Sequence, residues 1–324
     1  MKTFKKILLW IFGSCLAIIL FIVIAIVIIT IYVYIADKKV VQNMSRISVL
    51  PKTELVYVED EREHILGFVD TDGTNFETIF VESFTDSGGT ARPAWGGSAT
   101  NIVFLSGPIA SESYPRHLYI WQPSKAHYEM CNLNHNIFSV EMSPDGQKVF
   151  YNKGGILFEM DLDSCEETEI IIIDKNQSVF ATINWENNDL VVSKARDDEL
   201  LYIHHNQPDA KKALYLTDGT RPAFSPDGQW ISFVRNDGIY VIGIDGSSER
   251  LLFSRLYDDF ESENRITPYP RWSPDGQYVV FHDCEKSRCY SSPDGYGIYM
   301  INVETLEKTH IISNGLSPYW RWTK

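Results

Sequence analysis

The tetrapeptide Ser-Pro-Asp-Gly occurs three times, at 143–146, 225–228 and 273–276. This repetition constrains the fold more than any other feature of the chain. Each copy follows a short run that ends in an aromatic residue or Met, and precedes a run of alternating apolar residues. Pro at the second turn position and Gly at the fourth suit a type I turn, while Asp hydrogen-bonds its own backbone. The stretches that begin at Arg221 and Tyr269 both read as strand, tight turn, strand, turn, strand, turn, strand. Four-stranded antiparallel units that recur every ~40–50 residues indicate propeller blades.

Degenerate copies extend the count. Residues 92–106 replace the Pro-Asp-Gly turn with Gly-Gly-Ser, and residues 182–195 use Asn-Asn-Asp. The residues that close the first strands are then Trp95, Met142, Trp185, Phe224, Trp272 and Trp320, at spacings of 47, 43, 39, 48 and 48. The ends of the domain complement each other. Strands expected at Leu55–Glu59, Ile65–Asp70 and Glu77–Val81 lack a first strand, whereas Ser317–Lys324 is a first strand without a blade. Joined, they make one blade. The expected fold is all-β: a six-bladed β-propeller of four-stranded antiparallel blades over residues 54–324, closed by the C-terminal strand, with its sheet ends buried by closure.

The repeat resembles that of the TolB-type propellers, an aromatic residue and Ser-Pro-Asp-Gly followed by an apolar strand. The resemblance covers roughly residues 54–324 and is specific in three blades. It implies a six-bladed propeller like that of TolB, a periplasmic protein of the Tol–Pal system. TolB itself is soluble and carries an extra N-terminal α/β domain, and this chain departs from that pattern.

In that place stands an almost unbroken apolar run of 29 positions, Ile7–Ile35. A bilayer core needs about 20 helical residues, and a cleaved signal peptide has an apolar stretch of only about 7–15. A retained transmembrane helix is expected over 7–35, between a short tail at 1–6 and a tether at 36–53. Phe12-Gly13-Ser14-Cys15 loosely resembles a lipoprotein box, but the residues after Cys15 stay apolar where a lipoprotein would turn polar. Lys2, Lys5 and Lys6 ahead of the run favour a cytoplasmic N-terminus. The propeller is then expected outside the cytoplasmic membrane, periplasmic or extracellular. Beyond residue 36 the chain carries 26 basic and 43 acidic residues, which argues against nucleic acid as a partner.

Period-two alternation sorts each first strand onto two faces. The landmark residues share an apolar face that should pack between blades. The other face carries Arg92, Glu141, Asn184, Arg221, Arg271, Tyr319 and Arg321, and is expected to look into the central channel. Four arginines around one axis suggest a mouth for an anionic group or acidic peptide. The competing reading is internal pairing with Glu141 and nearby turn aspartates.

Cys284 and Cys289 flank a short insertion and suit a local disulfide in an oxidising compartment. Cys131 and Cys165, in neighbouring blades, form a second candidate pair. No metal site is expected: the cysteine spacing is wrong for zinc, the acidic insertion 257–264 lacks the order of a calcium loop, and His204 and His205 point to opposite faces. No cofactor fingerprint or catalytic elbow occurs. An α/β hydrolase domain after the ring, as in prolyl oligopeptidases, is not expected. The expected function is a non-enzymatic, envelope-tethered propeller that binds a protein or peptide partner at the channel mouth or loop face. The alternative is an envelope hydrolase or lyase acting on an anionic carbohydrate or peptide. Oligogalacturonate lyases have related propellers, but they need a metal cluster of His and Gln that these residues do not assemble.

Overall fold

The computed structural model describes residues 53–60, 65–80, 93–95, 102–106, 116–122, 127–135, 137–174, 179–194, 198–204, 212–236, 238–254, 268–284 and 296–321. Among them no helix is long and apolar enough to cross a membrane. The expected anchor at 7–35 and the tether up to residue 52 lie outside the described residues, as do Arg92, Cys289, His205 and the insertion 257–264.

Among the described residues the strands fall into six four-stranded antiparallel sheets. The first joins β1 (Leu55–Asp60), β2 (Ile65–Val69) and β3 (Glu77–Phe80) to the last strand of the chain. The second holds β4 (Ala94–Trp95), β5 (Ile102–Ser106), β6 (Arg116–Gln122) and β7 (His127–His135). The third holds β8 (Ile137–Met142), β9 (Lys148–Lys153), β10 (Ile156–Asp161) and β11 (Glu167–Ile172). The fourth runs through β12 (Val179–Ile183), β13 (Leu190–Lys194), β14 (Glu199–Ile203) and β15 (Leu214–Asp218). The fifth comprises β16 (Thr220–Phe224), β17 (Trp230–Arg235), β18 (Gly238–Gly243) and β19 (Arg250–Ser254). The sixth comprises β20 (Arg271–Trp272), β21 (Tyr278–Cys284), β22 (Tyr296–Asn302) and β23 (Lys308–Ser313). Strand β24 (Leu316–Trp320) returns to the first sheet and pairs with β1, placing Trp320 opposite Leu55.

Strands β4, β8, β12, β16, β20 and β24 pack against one another in cyclic order, with β24 meeting β4 to close the ring. The fold is therefore an all-β propeller with these six strands innermost. The core lies between sheets. Phe224 packs among Val191, Leu200 and Phe233, Trp272 among Ile239, Val241 and Phe281, and Trp320 among Leu55, Val280 and Ile298. The indoles of Trp272 and Trp320 donate to the carbonyls of Ala223 and Arg271 on the preceding inner strand, at 3.1 and 3.2 Å. Trp272 and Trp320 thus satisfy a polar atom while filling the seam, as buried indoles generally require.

Each Ser-Pro-Asp-Gly turn repeats one hydrogen-bond set. In the third sheet, Ser143 Oγ donates to Asp145 at 2.6 Å and accepts from Lys148 N–H, Gln147 N–H donates to Asp145, and Gly146 N–H donates to the Ser143 carbonyl. Ser225 with Asp227, and Ser273 with Asp275, repeat it. The glycines adopt φ of 65–72°, the left-handed region open to Gly at low cost. These bonds draw the Asp145 carboxyl below the ordinary aspartate range, the Ser143 hydroxyl most strongly.

The fourth sheet corrects the sequence register. Trp95, Met142, Phe224 and Trp272 each pair with the residue seven positions on. In β12 the residue that does so is Ile183, paired with Leu190, and not Trp185. Asn184 takes the place of the turn serine: its N–H donates to the Asp189 carbonyl, and its side chain accepts from Glu186 N–H. Left-handed Asn188, at φ 60°, takes the place of the glycine. This turn closes over the same span as the others, Asn184 N–H to the Asp189 carbonyl as Ser143 N–H to the Lys148 carbonyl, so the landmark is the residue just before Asn184, two positions ahead of Trp185. A two-residue slip preserves the face but changes the level along the strand.

Candidate functional site

Two cavities lie along the axis enclosed by the inner strands. The wide one, about 290 Å³, is lined by the strand ends and turns, including Asn184, Trp185, Phe224, Pro226, Trp272 and Pro274. The narrow one, about 20 Å³, lies toward the strand starts and is lined by Ser139, Tyr269, Ser317 and neighbouring prolines. Arg271 and Tyr319 line both cavities. A single layer of side chains therefore divides the channel into a wide and a narrow end.

That layer is built from the residues just before the landmarks. Glu141 on β8 accepts from Arg271 Nη1 at 2.8 Å, from Thr182 Oγ1 at 3.0 Å and from Ile183 N–H at 3.3 Å. The β8 and β20 sheets stand three apart in the ring, so this ion pair crosses the channel along its diameter. Thr182 also accepts from Phe224 N–H, which links a fourth inner strand. Burial pushes the Glu141 carboxyl above the ordinary glutamate range, while Arg271, Thr182 and Ile183 pull it back. The Arg271 guanidinium also lies 5.3 Å from the Tyr319 ring centre.

The arginines therefore do not converge on one mouth. Arg271 sits in the dividing layer, cancelled by Glu141. Arg221 lies one level toward the narrow end, against the rings of Phe180 and Tyr269 at 5.1 and 4.4 Å, which meet edge to face 6.4 Å apart. The register correction explains the contact with Phe180, which occupies on β12 the level of Arg221 on β16. Arg221 adopts φ 54° where the β16–β17 ladder slips. Ser317 adopts φ 49° at the equivalent position of β24, where that ladder also slips. Arg321 lies at the wide end over Trp95, 5.3 Å from the ring centre. Burial lowers its pKa, and its backbone N–H donates to the Glu54 carbonyl.

Sequence reasoning missed the rim. Asp145, Glu186, Asp227 and Asp275 are exposed at the turn tips around the wide end, so the accessible charge there is negative. The turns also touch. A Cβ on Gly228 would lie 2.1 Å from Asn184 Nδ2, and one on Gly276 would meet Pro226 at 3.8 Å. The repeat itself was the available signal, because it sets one turn aspartate per copy around the same opening.

Behind the inner strands, buried polar residues stitch neighbouring sheets together. Asn152 accepts from Ser139 N–H and donates to the Val179 carbonyl, and His282 Nδ1 accepts from Ser317 N–H at 3.2 Å. Cys165 is disulfide-bonded, whereas the side chains of Cys131, Cys284 and Cys289 lie outside the described residues. Exposed His204 stands 3.7 Å from Asp189. Among the described residues no cluster of three or more His, Cys, Asp or Glu could hold a metal ion.

Fold and site together define a β-propeller whose channel is divided internally, with an aromatic, acid-rimmed mouth at one end. No protein-family model matches the chain, and no curated protein matches it. Solved structures do. TolB from Acinetobacter baumannii aligns at a TM-score of 0.64 and 16% identity, over 83% of this chain and 67% of that one. A putative TolB from Agrobacterium tumefaciens aligns at 0.57 and 15%, over 82% and 92%. A chain of a nidogen/laminin complex aligns at 0.58 and 7%, over 84% and 99%. At these identities the likeness is one of fold.

Proposed function

We propose that this is a non-enzymatic binding propeller that receives a peptide or loop of a protein partner at the wide end of its channel. The observation that carries the reading is the wide cavity itself. It has aromatic and proline walls, a floor whose charges cancel, and a rim of exposed carboxylates. Aromatic pockets at a recess are where binding energy concentrates, and an acidic rim steers a partner with basic flanks. The rim therefore argues against the acidic peptide that the arginine count suggested. The hydrolase or lyase alternative would call on a carboxylate of the cavity floor. Glu141, the buried one there, is committed to Arg271, Thr182 and Ile183, which favours binding over chemistry.

We further propose the envelope tether over 7–53 and a propeller outside the cytoplasm. The Cys165 disulfide supports an oxidising compartment. Thr53 and Glu54 share a cavity with the Ser273–Asp275 turn beside the wide end. A tether that enters there would turn the mouth toward the membrane, and toward membrane-proximal partners. Photo-crosslinking in intact cells tests this. A probe at Trp185 should give one discrete adduct, lost when Pro226 and Trp272 are changed to Ala, while a probe at Glu169 on the outer strand β11 should not. Equal capture at both positions, or none at the mouth, overturns the proposal.

A further inference from the structure

Cations laid over aromatic rings recur in this protein, and most also hold a carboxylate. Lys153 lies over Phe158 and meets Glu167 at 3.5 Å. Lys308 lies over Tyr299 and meets Asp283 at 3.0 Å. Arg271 lies over Tyr319 and meets Glu141. Arg235 lies over Tyr240 at 4.4 Å and takes both oxygens of Glu249. Arg221 has the same ring clamp, doubled, without the carboxylate. Its Nε is shut off from water and has no acceptor, and its guanidinium has no ion pair among the described residues. Arg321 at the wide end shares this lack.

We propose that Arg221 is the anchor of an anion site at the narrow end of the channel, which takes a carboxylate group edge-on as Arg235 takes Glu249. Three features support it. The two rings contact the guanidinium from adjacent sides and leave N–H groups for a ligand, which suits bidentate recognition of a carboxylate. Glu141 is paired with Arg271, and the described lining of the narrow cavity includes no carboxylate, which leaves the Arg221 charge uncompensated at that end. The adjoining cavity, lined by Ser139, Tyr269, Arg271 and Ser317, measures about 20 Å³. It admits a head group of roughly one water's size, so the rest of a larger ligand would remain outside. The site is independent of the wide mouth and opposite to it in charge.

The test is thermal melting of the full-length protein in detergent, with sodium acetate or inorganic phosphate replacing chloride at constant ionic strength. Ligand that binds the folded state raises the melting temperature. Acetate should give a saturable rise of about 2–5 °C at tenfold its dissociation constant. Arg221→Gln should abolish the rise, Arg221→Lys should weaken it several-fold, and Arg321→Gln should leave it unchanged. A larger phosphate response, equally dependent on Arg221, would place the anion on a phosphorylated ligand. The proposal is overturned if Arg221→Gln melts cooperatively and keeps the wild-type response. It is also overturned if Arg321→Gln alone loses the response, or if neither anion shifts the wild-type protein.

Discussion

Replacing Arg271 with Met removes the positive half of the ion pair that spans the channel and leaves Glu141 buried. At 2.8 Å the charge centres lie near 4 Å, where an effective dielectric of 20 gives about 4 kcal/mol of attraction. Removing one partner of a buried pair costs about 3–5 kcal/mol. For a domain of this size that lowers Tm by roughly 6–15 °C. The loss should depend on pH. A buried glutamate with a raised pKa binds its proton more tightly folded than unfolded, so it favours the folded state below its unfolded pKa. That contribution is lost as pH rises through the folded pKa. Without Arg271, the largest influence pulling Glu141 back, the folded pKa climbs further. Relative to wild type, the variant should be most destabilised near pH 8 and recover toward pH 5. Glu141→Gln combined with Arg271→Met should restore most of the loss, because a neutral pair leaves no buried charge. Urea titrations at both pH values measure this. A single variant that matches wild type at pH 8, or a double variant no more stable than the single, would refute a buried charge pair as the core of the dividing layer.

Other outcomes are expected. Gly228→Ala meets both a left-handed φ of 65° and Asn184 at 2.1 Å, and should cost about 2–4 kcal/mol by chemical denaturation; a near-neutral result would mean the turns do not touch. Deleting residues 317–324 removes buried Tyr319 and Trp320, at about 3–5 kcal/mol each. That approaches the total stability of a typical domain, so the cooperative melt should disappear, and a truncated protein that melts normally would disprove ring closure. Cys165→Ser should lose about 2–4 kcal/mol, with an equal loss when the wild type is reduced. Intact mass with and without reductant should differ by the disulfide hydrogens.

Much of the fold was legible from local chemistry. Ser-Pro-Asp-Gly is a turn whose hydrogen bonds close within six residues, so its three copies behave alike whatever surrounds them. The inward face of the inner strands was legible too, because alternation has period two. Trp185 shows the limit. An aromatic residue near a degenerate turn looked like a landmark, but the turn is closed from Asn184, so the role falls to Ile183, and only the cross-strand pairing with Leu190 reveals it.

The sequence by itself determined a repeated four-stranded unit, the completion of the first sheet by the last strand, and the alternation that sorts side chains onto two faces of each inner strand. Tertiary structure decided their heights and partners. Arg92 apart, four of the seven expected site residues took distinct roles: Glu141 and Arg271 cancel across the diameter, Arg221 rests against two rings toward one end, and Arg321 rests on Trp95 at the other. Alternation fixes which way a side chain points, but the height of a residue in the channel depends on turn lengths and bulges in other sheets. Which charges meet depends on residues up to 130 positions apart, brought together only when the ring closes.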